Sequence, residues 1–239
     1  MEMRIINCQK YYMKINKKIA SILSLSVLFF CFFCGRNVMA GSGENNEFIA
    51  GYLARLLINE VPFPGENSYK SVEDSKSAMT QILWVIHCRR YHIPPGYRQV
   101  YIANVKSENI IDIITADGQC DGFYRNEQGI AVTEPRVEKR FKYLFSIANK
   151  GGKPGKFAEL LNFGQGLAKA YVEGGIEQAD RFAGLNTIKG IMVTGRAYAW
   201  MTDKDFYRPG GNFVFIPDGL NGSIGGNRFY TLKKKVNAK

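Results

Sequence analysis

Apolar residues recur at helical spacing near the start of the polar part of the chain. The stripe consists of Phe48, Ile49, Tyr52, Leu53, Leu56 and Leu57, which is the pattern of one buried helix face. Glu60 follows Leu56 by four residues and therefore shares this face. Pro62, Pro64 and Gly65 then end the helix. The pattern predicts a helix whose buried face finishes on a carboxylate.

Further apolar patterns predict four more helices. Ser71 and Asp74 have the spacing of a capping box at the start of the second helix. Pro135 occupies the first position of the third, a place that suits proline. The predicted helices span residues 71–91, 135 to the Gly151-Gly152 pair, 155–173 and 177–183.

From Thr187 onward the composition becomes rich in glycine and aromatic residues. The segments "NFVFI" (212–216) and "NRFYTL" (227–232) are typical of strands, and "PDGLNGSIGG" joins them as a loop. "TADGQCDGFY" (115–124) is predicted to be another loop. We therefore expect the α+β class, with a helical body and a small C-terminal β element.

The N-terminal residues have the pattern of a secretory signal. Three lysines between residues 14 and 18 precede the apolar run "IASILSLSVLFFCFFC", and a V-x-A cleavage site follows. We expect residues 1–40 to be removed. A single domain, residues 41–239, is then exported to the periplasm, the cell envelope or the extracellular space, without a membrane span. Anchoring through a lipidated Cys31 or Cys34 is the alternative.

The charge of the chain favours an anionic partner. The full chain carries +11, and the first forty residues hold six of the Lys/Arg and one acid, so +6 remains afterwards. A basic exported protein suits an anionic polymer or cell surface. Nucleic acid is not expected as a partner, because no aromatic-and-basic recognition motif is present. The only histidines are His87 and His92, so neither a zinc site nor a cofactor is expected.

Cys88 and Cys120 are the only cysteines beyond the predicted signal. In an oxidising compartment two such cysteines can pair, and we predict a disulfide between them. Cys88 adjoins His87, but neighbouring residues on a helix do not face each other, which argues against a cysteine nucleophile.

Glu60 is the residue for which a physical argument predicts chemistry. Cleavage of a glycosidic bond needs an acid that is still protonated near neutral pH, and burial against apolar side chains raises the pKa of a glutamate. The carboxyl end of a helix also disfavours a negative charge. The alternative is that Glu60 lies at a frayed helix end and points into water.

Three separated segments occur in order along the chain: "LARLLINEV" (53–61), "WVIHCR" (84–89) and "IGGNRFY" (224–230). Together they resemble the cell-wall hydrolases typified by the spore-cortex-lytic enzymes of germinating spores. The loop "GQCDGF" (118–123) is a looser match. Two departures stand out: "VPFPG" follows the glutamate, and Asn227 replaces the histidine of the closing motif.

The resemblance implies a lysozyme-like domain that cuts peptidoglycan glycan strands between N-acetylmuramic acid and N-acetylglucosamine. Glu60 would be its catalytic residue. In a lytic transglycosylase one glutamate protonates the leaving oxygen and then accepts the proton of the muramyl 6-hydroxyl. A hydrolytic enzyme would use a second carboxylate, for which Asp117 and Asp121 are available in the loop.

The resemblance also suggests residues that contact the sugar. Gln119 is expected to donate to an acetamido group, unless it is an ordinary polar loop residue. Phe123 and Tyr124 are expected to stack on a sugar face or to pack in the core. The predicted substrate-binding residues are Tyr69, Gln119, Asp121, Phe123, Tyr124, Asn227 and Tyr230.

Other functions stay open at this level. A peptidoglycan-binding protein that kept the hydrolase fold without its activity is one, supported by the unusual "VPFPG" segment. An exported interaction protein of unrelated function is another. An amidase is disfavoured because zinc ligands are missing from the sequence.

Overall fold

The computed structural model describes residues 45–150, 155–202 and 209–235. Within them lie six α-helices: α1 (Asn46–Asn59), α2 (Val72–Tyr91), α3 (Val100–Ala103), α4 (Ile110–Thr115), α5 (Pro135–Ala148) and α6 (Lys156–Gly174). The strands are β1 (Phe123–Arg125), β2 (Ala131–Thr133), β3 (Leu185–Ile188), β4 (Ile191–Gly195), β5 (Ala199–Thr202), β6 (Phe213–Phe215), β7 (Ser223–Ile224) and β8 (Asn227–Leu232). Helices and small antiparallel sheets confirm the α+β class.

The first two helices begin at side-chain caps. The Asn45 side chain accepts a hydrogen bond of 2.8 Å from the main-chain N–H of Phe48 at the start of α1. The Ser71 hydroxyl accepts one of 3.0 Å from Asp74 N–H at the start of α2, as its spacing predicts. Such caps satisfy main-chain donors that the first turn leaves unpaired.

Helices α1, α2 and α6 surround the hydrophobic core. Leu53, Leu56 and Leu57 of α1 are fully buried, as are Ile82 and Leu83 of α2. From Tyr52 onward the apolar stripe predicted for α1 is therefore the buried face, whereas Phe48 at its start is 40% exposed. Helix α6 approaches α1 closely at Gly164, where an added Cβ would lie 2.7 Å from a side-chain carbon of Ile58. Any larger residue at this position would push the two helices apart.

The sheets are small and antiparallel. β1 pairs with β2 and β3 pairs with β4, while β8 lies between β5 and β6 and also pairs with β7. The predicted strand "NFVFI" contains β6, and the predicted strand "NRFYTL" coincides with β8. β1 to β5 were not predicted, since they are short and most of their residues do not alternate clearly between buried and exposed. The two-residue strand β7 lies within the segment predicted to be the loop "PDGLNGSIGG".

The helix predicted for residues 177–183 is wrong. Its main chain is held by contacts from elsewhere: Arg181 N–H donates to the Gln81 side-chain oxygen at 3.2 Å. The Asp180 carboxylate pairs with Arg196 at 2.7 Å and is nearly buried. The Gln81 oxygen takes the place of the i−4 carbonyl that a helix would supply to Arg181 N–H, and the ion pair fixes the neighbouring side chain.

The predicted disulfide is also wrong, because Cys88 and Cys120 are both buried free thiols. Cys88 packs with Ile102, Tyr198 and Leu232. Cys120 lies near the charged groups of Arg89 and Glu60, and Arg89 is close to both thiols. Burial raises the pKa of each thiol to about 12, so both stay protonated at neutral pH and are poor nucleophiles.

The predicted signal, residues 1–40, and the Gly151-Gly152 pair lie outside the described residues. Within the described part of the chain, no helix combines the length and apolar character that crossing a bilayer requires.

Candidate active site

Glu60 caps the carboxyl end of α1 and lines a cleft. Its main-chain N–H donates to the Leu56 carbonyl at 3.0 Å, which closes the last turn. The cleft encloses about 280 Å³. Its walls come from residues 59–62 and 66–68, from Asp121, from Arg136 and Arg140 of α5, and from Thr202 and the Gly225–Gly226 turn. Residues far apart in sequence therefore meet around the predicted catalytic glutamate.

The Glu60 carboxyl is held by neutral donors. Trp200 Nε1–H donates to Oε2 at 2.9 Å, and the Asn59 amide lies 3.5 Å from Oε1. Burial raises the pKa of Glu60 above its usual range, while the bonds from Trp200 and Asn59 oppose that rise. The larger effect is loss of hydration, which disfavours the charged form.

Asn227 supports Glu60 from its main-chain side. The side chain is fully buried, and its amide donates to the Glu60 carbonyl at 2.7 Å and to the Gly225 carbonyl at 3.0 Å. The start of β8 is thereby tied to the end of α1. Asn227 does not line the cleft, so the structure places this predicted substrate-binding residue behind the glutamate.

Arg140 organises the "VPFPG" segment. Its guanidinium donates to three carbonyls around the end of α1, those of Ile58, Asn59 and Val61, at 2.9 to 3.2 Å. It also forms an ion pair with Glu66 at 2.8 Å. The Glu66 carboxylate in turn accepts a hydrogen bond of 2.7 Å from the main-chain N–H of Phe63. The last carbonyls of a helix lack donors within the helix, and here the Arg140 guanidinium supplies those donors. The break after Glu60 is thus an ordered turn.

Two other carboxylates line the cleft, and each is bound by an arginine. Glu66 pairs with Arg140, and Asp121 pairs with Arg136 at 2.6 Å. The Asp121 side chain is 85% exposed, in contrast to the enclosed carboxyl of Glu60. Asp117, the other acid considered for a hydrolytic reaction, does not line the cleft.

The remaining predicted sugar-binding residues lie away from the cleft lining. Phe123 is buried in the core, with its ring edge-to-face to Tyr52 at 5.5 Å. Tyr230 is buried beside Phe215. Tyr124 is exposed on β1, and Tyr69 and Gln119 are partly buried. Of the seven residues predicted to bind substrate, Asp121 alone lines this cleft.

Sequence reasoning missed four residues that shape the site: Asn59, Glu66, Arg140 and Trp200. Trp200 lies 140 positions after Glu60 and belongs to a strand that was not predicted. Arg140 is one of many basic residues in its segment, and nothing in the local pattern marks it as a helix cap. Asn59 and Glu66 are the two of the four that lie close to the glutamate in sequence, and Glu66 is typical of a surface acid or a helix cap.

Comparison with known proteins found no match: no family model fits the chain, and no curated protein or solved structure is significantly similar to it. No cluster of three or more His, Cys, Asp or Glu suitable for a metal ion occurs among the residues that the structure describes.

Proposed function

We propose that this chain is an exported enzyme that cleaves the glycan strands of peptidoglycan, as a lytic transglycosylase or muramidase, with Glu60 as general acid and base. The observation that carries the proposal is the Glu60 carboxyl, which lies at the cleft and has a pKa raised by burial. A glutamate with a raised pKa keeps its proton closer to neutral pH and can deliver it to a glycosidic oxygen.

The hydrogen bond from Trp200 favours one position for that proton. An indole N–H only donates, so Glu60 Oε2 accepts, and the proton of the neutral carboxyl is expected on Oε1, the oxygen with the longer contact. The Asn59 amide is 3.5 Å from Oε1, which is at the limit of a hydrogen bond and leaves that oxygen loosely held. Oε1 is therefore the atom that would donate to the leaving oxygen.

The pairing of the other two acids favours the route with one carboxyl group. Glu66 is engaged by Arg140 and by a main-chain N–H, and Asp121 is engaged by Arg136. In the single-acid reaction Glu60 gives its proton to the leaving oxygen as the bond to C1 breaks. The resulting carboxylate takes the proton of the muramyl 6-hydroxyl, whose oxygen bonds to C1. The product carries a 1,6-anhydro ring, and no water is consumed.

Digestion of purified peptidoglycan with product analysis by mass spectrometry tests this proposal. We expect anhydro-muropeptides, which are lighter by one water than the reducing products of a muramidase. Glu60→Gln should reduce turnover by about 10²- to 10⁴-fold, the usual contribution of a general acid, while wall binding is retained.

Glu47→Gln is the matched control, because Glu47 is an exposed acid in the first turn of the same helix. It should digest at the wild-type rate. Equal digestion by the Glu60→Gln protein would remove Glu60 from the mechanism. Wall binding without any released product would favour a non-catalytic peptidoglycan-binding protein.

A further inference from the structure

Helix α5 has two faces of opposite character. The inner face is buried and apolar, formed by Val137, Phe141 and Leu144. The outer face is exposed and basic, formed by Arg136, Lys139, Lys142 and Tyr143. We call these four residues the α5 stripe. Tyr143 is 61% exposed, so its ring is open to a binding partner.

The α5 stripe begins at the cleft. Arg136 belongs to the cleft lining together with Arg140. Lys139 and Tyr143 follow Arg136 by three and seven residues, so they lie on the same side of the helix. With a rise of 1.5 Å per residue, Tyr143 lies about 10 Å beyond Arg136 along the helix axis. The stripe therefore leads from the cleft onto the outer surface.

The two lysines of the stripe are not neutralised by the described part of the chain. Ion pairs engage Arg136 with Asp121 and Glu134, whereas Lys139 and Lys142 form none with any residue in the described ranges. The only acid within α5, Glu138, pairs with Arg55 of α1 instead. Two ammonium groups and an exposed aromatic ring therefore lie on the outer face of a helix whose first two turns line the cleft.

We propose that the α5 stripe binds the carboxylates of the peptide stems of peptidoglycan. The inference rests on the proposed function, since a glycan strand in the cleft would carry its stems out along the cleft rim. Carboxylates are also the groups that the arginines of the cleft already bind, in Asp121 and Glu66. Lysine ammonium groups attract such charges at low salt and lose this attraction as salt screens them.

The test measures sedimentation of the full chain with purified walls stripped of phosphate polymers, at low ionic strength. Glu60→Gln is present in every protein, so that no wall is digested. Combining it with Lys139→Gln and Lys142→Gln should weaken binding about 3- to 10-fold, because each exposed ion pair contributes little. Lys106→Gln with Lys234→Gln removes two other exposed lysines and should leave binding unchanged.

Walls whose stem carboxylates have been amidated provide the second arm. Amidated walls should bind the Glu60→Gln protein as weakly as unmodified walls bind the Lys139/Lys142 variant. Binding of that variant should not weaken further on amidated walls. An equal loss of wall binding in the Lys106/Lys234 control variant would overturn the proposed role of the α5 stripe. So would a lysine-dependent loss that persists on amidated walls, because the stripe would then bind another group.

Wall digestion is measured separately, with protein that retains Glu60. Stripe-dependent binding without released product would support the α5 stripe and contradict the proposed cleavage. Release of muropeptides with no dependence of binding on the two lysines would overturn the stripe and leave the cleavage standing.

Discussion

The two walls of the cleft handle charge in opposite ways. The inner wall, at Glu60, encloses one carboxyl, which accepts from neutral donors, the indole of Trp200 and the amide of Asn59. The outer wall, formed by Asp121 and Arg136, exposes its carboxylate and pairs it with a cation. Burial raises the pKa of Glu60 more than the nearby donors and the charge of Arg140 lower it, whereas the exposed carboxylate of Asp121 keeps its hydration and is paired with a cation. The same functional group is thus suited to proton transfer on one wall and to electrostatic contact on the other.

The largest expected effect on stability distinguishes the two arginines that line the cleft, Arg140 and Arg136. Arg140→Met removes the donors to three carbonyls around the end of α1 and the partner of Glu66. We expect the free energy of unfolding to fall by about 2–3 kcal/mol, as hydrogen bonds from charged groups are lost. Arg136→Met breaks exposed pairs and should cost about 0–1 kcal/mol.

Urea denaturation of both variants checks this difference. Similar losses of stability in the two would contradict the distinction between a structural arginine and a surface one. Activity offers a second readout, because Arg140 orders the turn after Glu60 and its loss should lower turnover even where the protein remains folded.

An intermediate effect is expected at Trp200. Trp200→Phe keeps an aromatic ring and removes the N–H donor to Glu60, which should lower turnover by up to about 10-fold. The bond from Trp200 lowers the pKa of Glu60, so its removal raises that pKa further. Since a general acid works in its protonated form, the alkaline fall of the pH–rate profile should move to higher pH.

Trp84→Phe is the matched control for this change. Trp84 also donates an indole N–H at 2.9 Å, but to the Gln178 carbonyl, away from the cleft. Its pH–rate profile should coincide with that of the wild type. A shift of the Trp200→Phe profile toward lower pH would sink the assigned role of this hydrogen bond.

The smallest effect is expected on the outer wall. Asp121→Asn should change the free energy of unfolding by less than about 1 kcal/mol, because its pair with Arg136 is exposed. In the single-acid reaction the variant should retain turnover and still release anhydro products. Loss of turnover, together with reducing products in the wild type, would instead assign Asp121 to a hydrolytic reaction. Quantified muropeptide profiles decide between the two.

Local sequence patterns predicted much of the fold and one residue of the candidate site, Glu60. The stripe ending on Glu60 correctly predicted a helix whose last turn presents that carboxyl, and Ser71 correctly marked the start of α2. Glu60 lines the cleft as a residue on that stripe would. Spacing works here because helix periodicity and capping depend on residues only three or four positions apart.

The partners of Glu60 were beyond such patterns. Trp200 reaches it across 140 positions, from a short strand that was not predicted. Asn227, 167 positions away, begins a strand that was predicted, but its bond to the Glu60 carbonyl was not. The disulfide prediction failed for the same reason, because composition and compartment say nothing about whether two thiols face each other. Phe123 and Tyr230 are aromatic residues near the motifs, yet packing placed both in the core.

By itself the sequence determined the α+β class, the main helices and a carboxylate on a buried helix face. Only the tertiary structure decided which groups surround that carboxylate: Trp200 at its oxygen, Asn227 behind its main chain and Arg140 beneath the turn that follows. The physical reason is that the pKa of an acid depends on its hydration and on nearby donors. Those are properties of the folded environment, to which residues far apart in the chain contribute.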